Sequence, residues 1–418
     1  MSSRKRSIGS RLGAPGRLTK TSLVMFGILF LLLGVGCADL DQIDTPAPPP
    51  DIAFTSTPFQ PEEPTLAPPE VPTAIIVSDG EPFPSAFNWW EVYFTDPLTI
   101  NDPNNISGSI EEKLIERINA AQASIHIASF EFDLTPVAEA LINAHNRGVD
   151  VRWVTDNEYG LEDDTDPGHG QFAMLQNAGI EVRADTRTAL MHNKFWIFDN
   201  QILWTGSTNV TENGIFVQDN NTIVFFSPEL ATIYEREFQE MWDGQFGPRS
   251  PSQLSEQSLV LNGTPIQVIF TSEDHALETT IVPLVSTATS SIRFLAFSFT
   301  DFPLADAMIQ RASLGVDVAG VIDKTQSGGT GSELKTLYCA NIPVRQDGNK
   351  QFMHNKVIIV DERYVITGSL NFSTSADESN DENVIIIDNP EIAGLYLQDF
   401  DYVYNLATAP DPAKVTCP

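Results

Sequence analysis

Short runs of alternating or continuous apolar residues recur along this chain, separated by amphipathic stretches that fit helices, and the whole succession occurs twice. In the first copy, Ser124-Ile-His-Ile-Ala-Ser-Phe-Glu-Phe leads into an amphipathic stretch. Arg147-Gly148-Val149-Asp150-Val151 follows, with a second apolar strand ending at Asp156. In the second copy, Ser291-Ile-Arg-Phe-Leu-Ala-Phe-Ser-Phe leads through Leu314-Gly315-Val316-Asp317-Val318 to Asp323. The preceding amphipathic segments also correspond, Ile110 to Gln122 against Leu277 to Thr289, each after a strand containing Phe94 or Phe270. A strand, a helix of ~12 residues closed by glycine, and another strand predict a right-handed βαβ unit in each copy. The expected class is α/β, with two tandem domains spanning residues 87–250 and 251–418, each a mixed β-sheet flanked by helices.

The pattern is different before Phe87-Asn88-Trp89-Trp90. Residues 1–36 carry six basic side chains and no acidic one, and the apolar run Leu23 to Gly36 is shorter than the ~20 residues a membrane-spanning helix needs. It ends in Leu33-Gly34-Val35-Gly36-Cys37, which resembles the lipobox of bacterial lipoproteins and makes Cys37 the expected lipidation site. An ordinary secretory signal or a short anchor helix is the other reading, and both place the rest of the chain outside the cytoplasm. Residues 37–86 read as a tether, because ten prolines between Pro46 and Pro72 remove backbone donors and favour an extended spacer of about 3 Å per residue. In an oxidising compartment Cys339 and Cys417 can pair; a buried Cys339 with a free Cys417 is the alternative.

Charge narrows the choice of partner. The formal net charge is −32, and without the basic leader 18 basic residues face 56 acidic ones. Such a surface repels polyanions over a Debye length of roughly 8 Å, which disfavours non-specific nucleic-acid binding.

The candidate chemistry lies in one long motif present in both repeats with identical spacing. The first is His192-Asn193-Lys194, four residues, Asp199, six residues, Gly206-Ser207-Thr208-Asn209. The second is His354-Asn355-Lys356, four residues, Asp361, six residues, Gly368-Ser369-Leu370-Asn371. His and Lys two apart on a strand project to one face. A hairpin turning at Asn200-Gln201 sets Lys194 opposite Ser207 and His192 opposite Asn209, and one turning at Glu362-Arg363 does the same for Lys356 with Ser369 and His354 with Asn371. The group suits a phosphodiester. Two lysines offset the non-bridging oxygens, each by on the order of 4 kcal/mol at 4 Å with an effective dielectric of 20. Ser and Asn are expected as directed donors, and two imidazoles allow one to attack phosphorus while the other moves the proton. No metal or other cofactor is required.

This duplicated pattern resembles the phospholipase D superfamily over residues 87 to 407. The resemblance implies a phosphohistidine intermediate, a pseudo-twofold axis between the repeats with the active site at their interface, and a structural role for Asp199 and Asp361. The family often carries a Glu-Asn pair 11 residues past the motif Asn. Glu382-Asn383 supplies it in repeat two, whereas repeat one has Asn220-Asn221. A hydrogen bond from His354 to Glu382 would favour the imidazolium, making His354 the acid and His192 the nucleophile; the same carboxylate could instead raise nucleophilicity at His354.

His126, His145, His169 and His275 lie outside the motif and read as surface or packing residues. Ser327 to Ser332 and the acidic stretch Glu158 to Gly170 follow corresponding strands and are expected to flank the entrance. The sequons at Asn209 and Asn371 fall inside the motif and are discounted. The leading expectation is hydrolysis of a phospholipid headgroup by a membrane-anchored monomer. An extracytoplasmic nuclease is the alternative, and a non-catalytic surface binding module the third reading.

Overall fold

Two mixed sheets, one from each repeat, carry the architecture of the computed structural model, which describes residues 88–252 and 257–417. The leader, Cys37 and the proline-rich tether lie outside the described residues.

The first sheet contains β1 (Trp90–Phe94), β2 (Ser124–Ser129), β3 (Asp150–Thr155), β4 (Glu181–Ala184), β5 (Lys194–Phe198), β6 (Ile202–Gly206) and β7 (Asn221–Phe226), in the order β1-β7-β6-β5-β2-β3-β4. The second contains β8 (Ser258–Leu261), β9 (Thr264–Thr271), β10 (Ser291–Ala296), β11 (Asp317–Ile322), β12 (Val344–Gln346), β13 (Lys356–Val360), β14 (Tyr364–Gly368) and β15 (Glu382–Asp388). Its order is β12-β11-β10-β13-β14-β15-β9-β8. The anticipated βαβ units are present. Helix Thr135–Asn146 joins β2 to its parallel neighbour β3, and helix Phe302–Ser313 joins β10 to β11. Gly148 and Gly315, at φ of 96° and 94°, turn the chain after these helices.

The motif strands lie mid-sheet. Lys194-Phe-Trp-Ile-Phe and Lys356-Val-Ile-Ile-Val are buried at every position, as befits strands covered on both faces. One covering layer on each side comes from a helix opened by proline: Pro228–Trp242, whose cap Ser227 accepts from Leu230 N, and Pro390–Leu406, capped by Asn389. Their apolar residues recur every three or four positions and enter a core that both repeats share. Phe195, Tyr234 and Phe238 meet Phe270, Val357 and Tyr396 there. Tyr234 lies edge-on to Phe270 with ring centroids 5.1 Å apart, and Phe94 to Tyr396 at 5.2 Å. The described residues accordingly belong to one compact unit.

The hairpins depart from expectation by one residue. Phe198 pairs with Ile202 and Phe195 with Thr205, which places Lys194 opposite Gly206, not Ser207. Val360 pairs with Tyr364 and Ile358 with Ile366, so Lys356 likewise faces Gly368. Each turn has three residues, Asp199-Asn200-Gln201 and Asp361-Glu362-Arg363, one more than the sequence suggested, with φ of 53° and 48° at Asp199 and Asn200 and of 53° and 55° at Asp361 and Glu362. The cause is the motif aspartate. Asp199 accepts from the backbone N–H groups of Gln122, Ala123 and Ser124, and Asp361 from those of Thr289, Ser290 and Ser291. Burial opposes the charge at Asp361, but these donors hold its carboxyl well below the ordinary range. Both aspartates therefore fasten the hairpin to the start of the neighbouring strand, a structural task.

Cys339 and Cys417 form a disulfide, with Cα atoms 5.4 Å apart, that ties the chain's last described residues to helix Leu334–Cys339.

Candidate active site

The segments bearing the two histidines are stitched to the opposite repeat. His192 N donates to Asp381 O and His354 N to Asp219 O, each at 2.9 Å. The preceding residues, Met191 and Met353, donate through their backbone N–H groups to Asp156 and Asp323, the acids that directly follow β3 and β11. The strand-end acids thus set the approach of each histidine.

The side chains cross in the same way. His192 Nδ1 lies 2.7 Å from Glu382 Oε2, and His354 Nδ1 lies 3.0 Å from Asn220 Oδ1. This corrects the sequence expectation that Glu382 would serve His354 of its own repeat. The pseudo-twofold arrangement brings residue 382 to the other repeat's histidine, and residue 220 makes the reciprocal contact.

A second layer repeats the exchange. Asn383 Nδ2 donates to Asn193 Oδ1 at 2.9 Å, and Asn221 Nδ2 to Asn355 Oδ1 at 2.6 Å. Thr205 and Tyr234 donate to Asn383 Oδ1, while Thr367 and Tyr396 donate to Asn221 Oδ1. Buried polar groups need partners, and here the partners satisfy one another across the repeat boundary. Sequence reasoning missed the middle residues of the two His-x-Lys triplets. Their signal was available, since both are asparagine.

Each lysine bends back to the carbonyl of its own histidine, Lys194 Nζ to His192 O and Lys356 Nζ to His354 O, both at 2.8 Å. Each also sits over an aromatic ring that packs edge-on against the same histidine, Phe130 in repeat one and Phe297 in repeat two. The lysine nitrogens are 5.1 and 5.0 Å from the ring centroids, and the histidine rings 4.8 Å in both cases. Both phenylalanines directly follow the strands β2 and β10.

The serines do not have the role expected of them. Ser207 donates its single hydroxyl proton to Asn220 Oδ1 at 2.8 Å and accepts from Asn221 N; Ser369 accepts from Asn383 N. Both are fully buried and position the buttressing residues instead of presenting a donor to substrate. Asn209 Nδ2 lies 3.3 Å from Glu131 Oε2, and the Oδ1 atoms of Asn209 and Asn371 have no hydrogen-bond partner among the described residues. Gly206 and Gly368 have no room for a side chain, since a Cβ there would meet the carbonyls of Asn221 and Asn383.

Burial dominates the electrostatics. It pushes both imidazoles well below their ordinary range, helped by the Lys194 and Lys356 charges. Burial lowers Lys194 to about 8 and Lys356 also downward, and raises Glu382 to about 7 against the pull of Lys194. An anion between the lysines would oppose these shifts, favouring the ammonium forms and raising imidazole basicity. No group of three or more His, Cys, Asp or Glu among the described residues could hold a metal ion. Of the outlying histidines, His126 is packed on Phe238 with Nδ1 2.8 Å from Glu235, outside the site.

A family model described as "Cardiolipin synthase, PLD-like domain" matches residues 114–242 and again residues 281–404, more than half of the sequence. The chain belongs to that family. The phospholipase D of Rickettsia conorii is 40% identical to this phospholipase D-like protein over 116 residues, 28% of this chain and 58% of the relative. The human mitochondrial cardiolipin hydrolase is 35% identical over 136 residues, 32% of this chain and 52% of the relative. The chain thus spans a little over half the length of the curated relatives it matches. The phosphatidylserine synthase of Haemophilus influenzae is 12% identical with a TM-score of 0.56, covering 78% of this chain and 89% of that one, a likeness of fold alone. The two matched segments carry the two half-sites, His192 with Lys194 in the first and His354 with Lys356 in the second.

Proposed function

We propose that the protein hydrolyses the headgroup phosphodiester of a phospholipid through a phosphohistidine on His192. The observation that carries this reading is the crossed pairing of two otherwise matching histidines, one with a carboxylate and one with an amide. Glu382 accepts from Nδ1–H of His192, which leaves Nε2 as the lone-pair nitrogen, and its charge offsets the positive ring that forms when Nε2 bonds to phosphorus. The nucleophile remains the one named from sequence, but on the opposite ground: the carboxylate supports the attacking ring.

In the first step His192 Nε2 bonds to phosphorus, the bond from phosphorus to the headgroup oxygen breaks, and His354 gives that oxygen a proton. In the second, His354 takes a proton from water, the hydroxide bonds to phosphorus, and the bond to Nε2 breaks to release phosphatidate. Lys194, Lys356, Asn209 and Asn371 are the groups placed to stabilise charge on the non-bridging oxygens. The site residues need no cofactor for these steps.

Lipid is the favoured substrate on two grounds. A chain anchored through Cys37 meets phospholipid at high effective concentration, and its acidic surface handicaps nucleic acid. We place the protein as a monomeric lipoprotein facing outside the cytoplasm. The full chain, solubilised and incubated separately with mixed phospholipid vesicles and with single-stranded DNA and RNA, tests the reading, with His192→Ala as control. Release of headgroup with phosphate label on His192 after rapid acid quench is expected. Cleavage of nucleic acid without lipid turnover would replace phospholipase by nuclease, label on His354 would reverse the roles, and binding without turnover would leave a surface binding module.

A further inference from the structure

The two half-sites are not equivalent at their mouths. Phe130 and Phe297 correspond, but the residues around Phe132 are Glu131 and Asp133, whereas those around Phe299 are Ser298 and Thr300. Glu131 directly follows the ring that packs on His192 and lies beneath Lys194. Its carboxyl is raised by burial, opposed by the Lys194 charge, and it also acts on Lys356. Asp133 and Asp163 add negative charge nearby, and His169 is the titratable base facing them.

A second observation points outward from this group. Asn209 is 5% exposed, donates its amide to Glu131, and its Oδ1 accepts from no described group. The unpartnered Oδ1 is common to Asn209 and Asn371, so what distinguishes the half-sites is the Glu131 carboxylate beside Asn209 and Lys194, where the second half-site has the hydroxyl of Ser298. Acceptors in such a place favour a substituent rich in donors, such as a hydroxyl or ammonium group, and oppose a second phosphate.

Building on the phosphodiesterase reading above, we infer that Glu131 is a specificity-determining residue. It selects phosphodiesters whose neighbouring substituent carries hydrogen-bond donors, and it rejects those with another phosphate close by. The substrate class is a phosphodiester with one phosphate and a donor-bearing group, as opposed to a bis-phosphate lipid or a nucleic-acid strand.

Glu131→Ser, which copies Ser298, and Glu131→Gln test this in the full chain. kcat/KM is measured on phosphatidylethanolamine, on bis-phosphatidylglycerol, on a single-stranded oligonucleotide, and on bis(p-nitrophenyl) phosphate, which has neither donor nor second phosphate. In both variants the two multi-phosphate substrates should gain about tenfold relative to bis(p-nitrophenyl) phosphate at low salt, with the gain shrinking at high salt, and phosphatidylethanolamine should lose ground. A common factor across all four substrates would make Glu131 a mere counter-charge for the lysines and overturn the inference. No turnover of any substrate by the wild-type protein would instead remove the proposed function, and this inference with it.

Discussion

Replacing Glu382 by Gln keeps an acceptor near His192 Nδ1 and removes only the charge. The oxygen lies 2.7 Å from the ring nitrogen, so the centres of charge are roughly 4 Å apart, and at an effective dielectric of 20 their interaction is on the order of 4 kcal/mol. About half of the ring's positive charge has developed when the bond to phosphorus is half formed, so the transition state loses ~2 kcal/mol and the full phosphohistidine twice that. The expected fall in kcat is between about 30-fold and 1,000-fold, since each 1.36 kcal/mol is roughly a factor of ten. The pH profile adds an independent check. Burial raises Glu382 to about 7, so in the wild type the carboxylate is present above that pH and is neutralised below it. Acid thus does to the wild type what the substitution does at every pH, and the two rates should converge toward pH 5.5 after differing most near pH 8. Single-turnover release of p-nitrophenol across that range measures both. A variant within threefold of the wild type at pH 8, or a ratio constant with pH, would refute the charge argument.

Three further outcomes are expected. Burial, with Asp274, Asp381 and Glu240 nearby, raises Glu273 to about 9. The folded state then binds a proton that the unfolded chain has already released above about 4.5, so stability declines as pH rises from there to about 9; Glu273→Gln should flatten that decline and add on the order of 3 kcal/mol at pH 8 in urea unfolding. In Gly206→Ala the new Cβ would meet Asn221 O at 2.3 Å at a φ of 149°, and in Gly368→Ala Asn383 O at 2.1 Å at 138°; each should cost about 3 kcal/mol, read as a lower Tm. Cys417→Ser opens a link between residues separated by 78 positions and should lower stability by roughly 2–4 kcal/mol, with wild type in reductant matching the variant.

Much of the site could be read from the chain because its signals are local and duplicated. The βαβ units follow from apolar runs closed by Gly148 and Gly315, and the spacing of His192, Lys194, Asp199 and Asn209 matches that of His354, Lys356, Asp361 and Asn371. What escaped depends on contacts between distant segments. The turn begins at Asp199 because its carboxylate gathers amides some 75 residues earlier, which no hairpin rule includes. The partner of Glu382 could not be chosen from sequence, because each repeat offers one histidine at an equivalent position and only docking decides between them. Ser207 and Ser369 looked like substrate donors until the asparagines they serve were in place.

The exchange of buttresses between repeats means that neither half owns a finished histidine. His192 without residues 369–383 would lack its carboxylate, and His354 without residues 207–221 would lack its amide. Catalytic competence is therefore a readout of docking: anything that loosens the two sheets from each other silences both rings together, and inherited changes in one copy are felt in the chemistry of its twin.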